Sequence, residues 1–288
     1  MNIELVNHKI INYPSGSAIE IYRDLFFLIG DDAPEVIVLN RDFSIYSKIE
    51  ILDFDGLRIP KKMKPDFEMA TIIGDDLYVL GSGSLTPQRD KCIRIDLKNY
   101  VVNETNLDYS FKILRNENFA TEINLEALTA INGHLWIFNR ANTEQENTLL
   151  IVSTPFLKNE AFELKRWAIK DCFIQNVRLG ISGATYCQEK DLLFVTLSAE
   201  NTNNAYDDGE ILGSAIGICK NPQEKLTSST FEFDQIIILS EYLPVFANQK
   251  IESICIISVH NNLYELLLVA DNDKGNSELF EILLSLKY

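Results

Sequence analysis

Close cysteine pairs are missing from this sequence, and so are clusters of histidine. Its five cysteines (Cys92, Cys172, Cys187, Cys219 and Cys255) are spread along the chain, and His8, His134 and His260 stand apart. A zinc site needs Cys and His ligands at short spacings, so reduced, mostly buried thiols are expected instead. With three distant histidines, no Ser-His-Asp constellation is legible either. No apolar run approaches the roughly 18 residues of a membrane helix; the longest, such as residues 25–29 and 236–239, are strand-sized. The first nine residues have neither the basic start nor the apolar core of a signal peptide, and a cytoplasmic location is expected. Basic residues are scarce. The 26 Lys and Arg face 42 Asp and Glu, and the net charge of −16 repels nucleic acid and anionic membranes, so neither is expected as a partner. The one basic cluster, Lys61-Lys62-Met63-Lys64, lies between Pro60 and Pro65 and reads as a solvated face.

What the chain has in quantity is a repeat. A small polar or acidic residue opens a short apolar strand, which turns on Gly, Asn or Asp and re-enters a strand with a Leu-aromatic or Leu-Leu pair. This β-hairpin is written five times. The copies open at Ser17, Glu68, Glu126, Ser182 and Glu252, separated by 51, 58, 56 and 70 residues. The 36 residues after Glu252 and the 16 before Ser17 make one further step of similar size. The chain is therefore expected to be all-β, a single five-bladed β-propeller domain over residues 1–288, with six blades as the alternative if the long fourth unit hides one. Residues 3–11 read as a lone strand. Strands near 252–259, 263–270 and 278–286 leave the last blade one short, so the N-terminal strand is expected to close it and remove a free sheet edge.

The polar, irregular segments follow the second strand of each unit, at residues 30–35, 81–89, 139–144, 198–210 and 270–275. Propeller geometry gathers these loops on one face with the heads of the innermost strands. Ser17, Glu68, Glu126, Ser182 and Glu252 are thus expected to ring the channel, with Asp31, Arg89, Arg140, Glu200 and Asp271 above them. Three carboxylates at that distance repel one another unless positive charge sits among them. Calcium, with six to eight oxygen ligands in a tolerant geometry, suits three glutamates, two serines and water. The alternative is that the glutamates are protonated or accept from backbone N–H groups.

The order Ser, Glu, Glu, Ser, Glu at the heads of successive blades resembles the calcium-activated nucleotidase (apyrase) family, five-bladed propellers with a central Ca²⁺. Asp31-Asp32 resembles that family's paired aspartates, residues 68–83 its second blade, and residues 126–150 with Arg140 its third. The resemblance implies Ser17, Glu68, Glu126, Ser182 and Glu252 as calcium ligands. The sequence departs from the family at Ala33-Pro34-Glu35, where the pattern is Arg-Thr-Gly, at residues 84–89, where a Lys-Glu-Trp run is replaced, and at Asn139-Arg140, where two arginines stand. The scaffold and ion are thus implied, with phosphate-facing positions altered. A fainter likeness is to phytase-like propellers.

Two functions follow. One is calcium-assisted hydrolysis of a nucleotide or other phosphate ester or anhydride, with Asp31 or Asp32 as general base and Arg140 and Arg89 stabilising developing charge. The other is a non-catalytic binding or scaffold propeller with a structural ion, meeting a protein or carbohydrate through its rim loops. Each residue has a plainer role as well. Asp31-Asp32 could be an acidic turn like Gly74-Asp75-Asp76, Arg140 a partner of Glu144, and residues 270–275 an ordinary turn rather than a second ion site at Asp271 and Asp273.

Overall fold

The computed structural model describes residues 1–116, 122–141, 145–201, 209–271 and 275–286. Each repeat forms an antiparallel sheet, and the five sheets make a five-bladed β-propeller. Blade 1 runs outward through Gly16–Tyr22, Leu25–Gly30, Glu35–Leu39 and Ile45–Glu50. Blade 2 is Phe67–Ile73, Asp76–Gly81, Lys91–Asp96 and Val102–Asn106. Blade 3 is Leu125–Ile131, His134–Asn139, Thr148–Ser153 and Leu164–Ile169. Blade 4 is Gly180–Cys187, Leu192–Asn201, Glu210–Lys220 and Gln235–Ile238. Blade 5 is Lys250–His260, Leu263–Asp271 and Ser277–Ser285, closed by the N-terminal strand Asn2–Ile11. That strand pairs antiparallel with Ser277–Ser285, and His8 stacks on Phe280 with ring centroids 4.4 Å apart.

The fourth unit is long for another reason than a sixth blade. It contains the short helix Pro222–Lys225 and the strand Thr230–Phe231, which crosses over to pair in parallel with the outer strand of blade 3. The first hairpins turn where the sequence signals them. In blade 3, Asn132 and Gly133 have φ of 49° and 79°, as a tight two-residue hairpin requires.

Alternation along the strands buries both faces of every blade, so the core is a ring of five apolar clusters, one at each interface between neighbouring blades. Phe27, Val38, Leu77 and Ile93 meet between blades 1 and 2, and Leu28, Leu39, Leu267 and Leu279 between blades 5 and 1. Backbone hydrogen bonds continue from blade to blade at the inner rim. Phe67 N donates to Asp31 O at 3.2 Å and Leu125 N to Ser82 O at 2.9 Å.

Close backbone approach at this rim requires glycine at position 81. A Cβ there would lie 2.4 Å from Arg89 O and 2.6 Å from Pro65 O, both main-chain atoms. Gly81→Ala is expected to cost about 1–3 kcal/mol, as overpacking does. A urea-unfolding midpoint unchanged from wild type would show that the rim yields freely.

Candidate functional site

Each inner strand slips against its neighbour beside its repeat head, and that of blade 5 slips a second time, between Ile256 and Ser258. The pairing slips between Gly16 and Ala18, Phe67 and Met69, Leu125 and Ala127, Ile181 and Gly183, and Ile251 and Ser253. The residues left over are Ser17, Glu68, Glu126, Ser182 and Glu252, the five repeat heads. A bulge re-aims its extra side chain out of the pleat, so the same local device in all five blades presents these residues at the polar mouth of the propeller.

The heads fall into two kinds. Ser17 Oγ donates to Phe67 O at 2.5 Å, and Ser182 Oγ to Ile251 O at 2.6 Å, each tying its blade to an inner strand of another. The glutamates meet charged partners. In the sector of blades 1 and 2, Asp31, Asp66 and Glu68 each place a carboxylate oxygen within 4.8 Å of the others. Lys64 pairs with Asp31 and, at 2.7 Å, with Asp66. Arg89 Nη1 and Ser82 Oγ each donate to Asp66 Oδ2 at 2.5 Å. Asp66 has φ of 56°, a left-handed conformation that aspartate tolerates better than most residues. Asp31 Oδ1 is buried and has no hydrogen-bond partner.

In the sector of blades 3 to 5, Arg140 lies between Glu126 and Glu200, 3.6 Å from an oxygen of each. Its guanidinium passes over Gly180, where a Cβ would be 2.8 Å from Nε. Lys250 continues the chain of charges to Glu200 at 3.5 Å and Glu252 at 3.0 Å. Together these residues set six carboxylates against four cations.

Burial dominates their electrostatics. It pushes Asp31 up to about 6 against the pull of Lys64, and Glu126 up to about 7 against Arg140. Glu68 is driven well above the usual carboxylate range by burial and then by the charge of Glu126. Glu200, against the effect of its own burial, is held below that range by Lys250. The mouth therefore holds carboxyl groups that exchange protons near neutrality beside fixed cations, a combination found where acid–base chemistry is done.

Asp31, Arg89 and Arg140 reach this cluster. Asp32 turns away and pairs with Arg58 Nε at 2.7 Å, while Glu144 and Asp273 lie outside the described residues. The basic cluster is not uniformly solvated. Lys62 and Met63 are exposed, but Lys64 is drawn into the mouth with 13% of its side chain exposed, because two carboxylates await it there. Sequence reasoning missed Lys64, Asp66 and Lys250 as site residues, and placed Glu200 in a loop above the ring without giving it a role. A signal for two of them is present. Asp66 and Lys250 stand two residues before Glu68 and Glu252, a position also held by Ser15, Asn124 and Gly180 before the other heads. Asn124 Nδ2 there donates to Glu126 Oε1 at 2.5 Å.

Residues 12–284 match the family described as "Family of unknown function (DUF6929)". No curated protein matches the sequence. Among solved structures the chain is similar to the glutaminyl cyclase of Myxococcus xanthus, at 10% identity and a TM-score of 0.58, over 99% of this chain and 97% of that one. It is also similar to a mutant α-L-arabinanase of Cellvibrio cellulosa, at 11% identity and a TM-score of 0.55, over 97% of this chain and 93% of that one. At such identities the likeness is one of fold. The resemblance to apyrase-type and phytase-like propellers likewise reaches the propeller architecture, and the family that the comparison shows is a different one. Among the described residues no helix is long and apolar enough to cross a membrane.

Proposed function

Because the chain belongs to DUF6929, a family of unknown function, we propose from the site alone that it is a cation-dependent hydrolase of small phosphorylated molecules, esters or anhydrides, working at the polar mouth. The observation that carries this reading is the convergence of Asp31, Asp66 and Glu68 oxygens within 4.8 Å of one another. The donors are all oxygen, which suits calcium and not zinc. Asp31 Oδ1, buried without a partner, is an atom that a cation would complete.

Asp31, Asp66 and Glu68 would hold the ion, with Glu126 and Glu252 facing it from the other sector. When bound, such an ion supplies positive charge against a phosphoryl group and acidifies a water. The chain's own groups do the rest. Glu126, half protonated near neutrality, takes up or gives a proton at its carboxyl. Arg140 and Lys250 present positive charge to the substrate's oxygens, and Arg89 fixes Asp66. Ser17 and Ser182 hold the inner strands in place. Lys64 competes with the ion for Asp31 and Asp66, so entry of the ion requires that side chain to swing out.

One observation favours a second reading. Lys64, Arg89, Arg140 and Lys250 are each already paired with a carboxylate, as in a binding propeller whose mouth is a structural charge network. Metal content separates the two, measured together with phosphate release from nucleoside diphosphates and phosphomonoesters under calcium, magnesium or chelator. The hydrolase should release phosphate only with the ion, and Asp66→Asn and Glu126→Gln should each lose at least about a hundredfold, as when a group acting in the transition state is removed. Bound ion without release leaves a binding propeller. No bound ion in wild type or in Lys64→Met sinks the cation site.

A further inference from the structure

Away from the mouth, at the opposite end of blade 3, the structure has a cavity of about 280 Å³. It sits in the outer part of the groove between blades 3 and 4. Cross-strand register builds it: Trp136 stands opposite Ile151, and Ile151 opposite Lys165. The two-residue period of the strands adds His134 and Trp167 to the same face. Gln223, from the helix Pro222–Lys225 of blade 4, and Glu163 complete the rim.

Both tryptophans of the chain meet in this cavity. Trp136 is its floor, 1% exposed. Trp167 is half-buried, and its Nε1 donates to Leu226 O at 3.2 Å, which satisfies its polar edge and fixes the ring as a platform. The side chains of Glu163, Lys165 and Gln223 form no hydrogen bond or ion pair with other described residues, so a carboxylate, an ammonium and an amide stand ready around an indole face.

We propose that this cavity binds a neutral saccharide, one sugar ring seated on Trp167 with its hydroxyls bonded to Glu163, Lys165 and Gln223. The charges of Glu163 and Lys165 cancel, so nothing here selects an anion or a metal ion. Glu163, Lys165 and Gln223 are exposed at the rim, where the hydroxyls of a ligand reach them. A sugar ring has one apolar face and a hydroxylated edge, and the volume of about 280 Å³ lies just below the roughly 300–1,000 Å³ of ligand pockets, room for a single ring. The inference is independent of the chemistry at the mouth.

With both tryptophans at the site, intrinsic fluorescence reports on it directly. Wild-type protein is titrated with a panel of neutral pentoses, hexoses and their disaccharides, and with adenosine. The expected result is a saturable change with at least one sugar in the millimolar range, weakened about tenfold or more in Trp167→Ala and in Gln223→Ala, as for loss of one buried contact or hydrogen bond. Gln223 is exposed, so its variant keeps the fold should Trp167→Ala not. Absence of a saturable change with every sugar overturns the proposal. So does saturation by adenosine in their place, or sugar binding that Gln223→Ala leaves unchanged.

Discussion

Arg115→Ala is expected to lower stability by about 3 kcal/mol, the lower end of the cost of stripping a partner from a buried ion pair. Asp90 is fully buried, and Arg115 reaches it from the helix Asp108–Asn116 with two bonds, Nη1 to Oδ2 at 2.8 Å and Nη2 to Oδ1 at 2.6 Å. Nη2 also donates to Gly83 O at 2.6 Å. Without Arg115, the carboxylate of Asp90 keeps, among the described residues, only Thr86 Oγ1 as a side-chain partner, at 2.8 Å, in a place water does not reach. The partial exposure of Arg115, 29% of its side chain, sets the figure near the lower end. At about 2–4 °C per kcal/mol the melting temperature should fall by roughly 6–12 °C. Asp90→Asn in the Arg115→Ala background should recover part of the loss, because the isolated charge is what costs most. The effect should reach the mouth as well. Asp90 follows Arg89, so loosening this loop frees the guanidinium that fixes Asp66. A Tm within a degree or two of wild type would mean that Asp90 finds another partner or a proton.

Glu20→Gln is expected to stabilise the protein above pH 8 and to leave it unchanged at pH 4. Glu20 lies on the inner strand of blade 1, opposite Phe27 and close to Cys255 of blade 5. Burial raises its carboxyl to about 8, opposed only by a backbone N–H at Ile21. The unfolded chain releases this proton near the ordinary glutamate value of about 4.5. Between those values the folded state keeps a proton that the unfolded state has lost, so stability falls as pH rises through the window. The full shift corresponds to about 5 kcal/mol at 1.4 kcal/mol per unit. Glu20 is only partly enclosed, and solvent in the channel should reduce this to about 2 kcal/mol. Below the window both states carry the neutral acid, and glutamine gains nothing over it. Melting curves of both proteins from pH 4 to above 8 should therefore diverge progressively; a constant offset at all pH values would rule out ionisation as the cause.

Much of the architecture was legible without coordinates. Strand alternation and Asn, Gly and Asp turns are properties of neighbouring residues, so the hairpins, their fivefold recurrence and the N-terminal strand completing the last blade could be read directly. The heads Ser17, Glu68, Glu126, Ser182 and Glu252 were legible for the same reason, each marking the start of a repeat. That each is also the unpaired residue of a bulge needed the register. The family resemblance drawn from those heads carried as far as the fold, because propeller geometry demands a similar frame whatever chemistry stands at its mouth.

Pairing was a different matter. Lys61, Lys62 and Lys64 are chemically alike in sequence, and only the course of residues 51–66 over the rim sends one of them between Asp31 and Asp66. Asp31 and Asp32 are adjacent, yet they face different partners, Lys64 and Arg58. Arg140 meets Glu200, 60 positions on in the numbering, and Lys250 meets it from the following blade. The sequence by itself determined the repeated hairpins and the polar residues that open each blade, since these follow from local sterics and a period of two, and left five blades against six open. Only the tertiary structure decided which charges neutralise one another, because Coulomb interactions depend on distances of a few ångströms between groups far apart in the chain, and those distances exist only once five blades have closed into a ring.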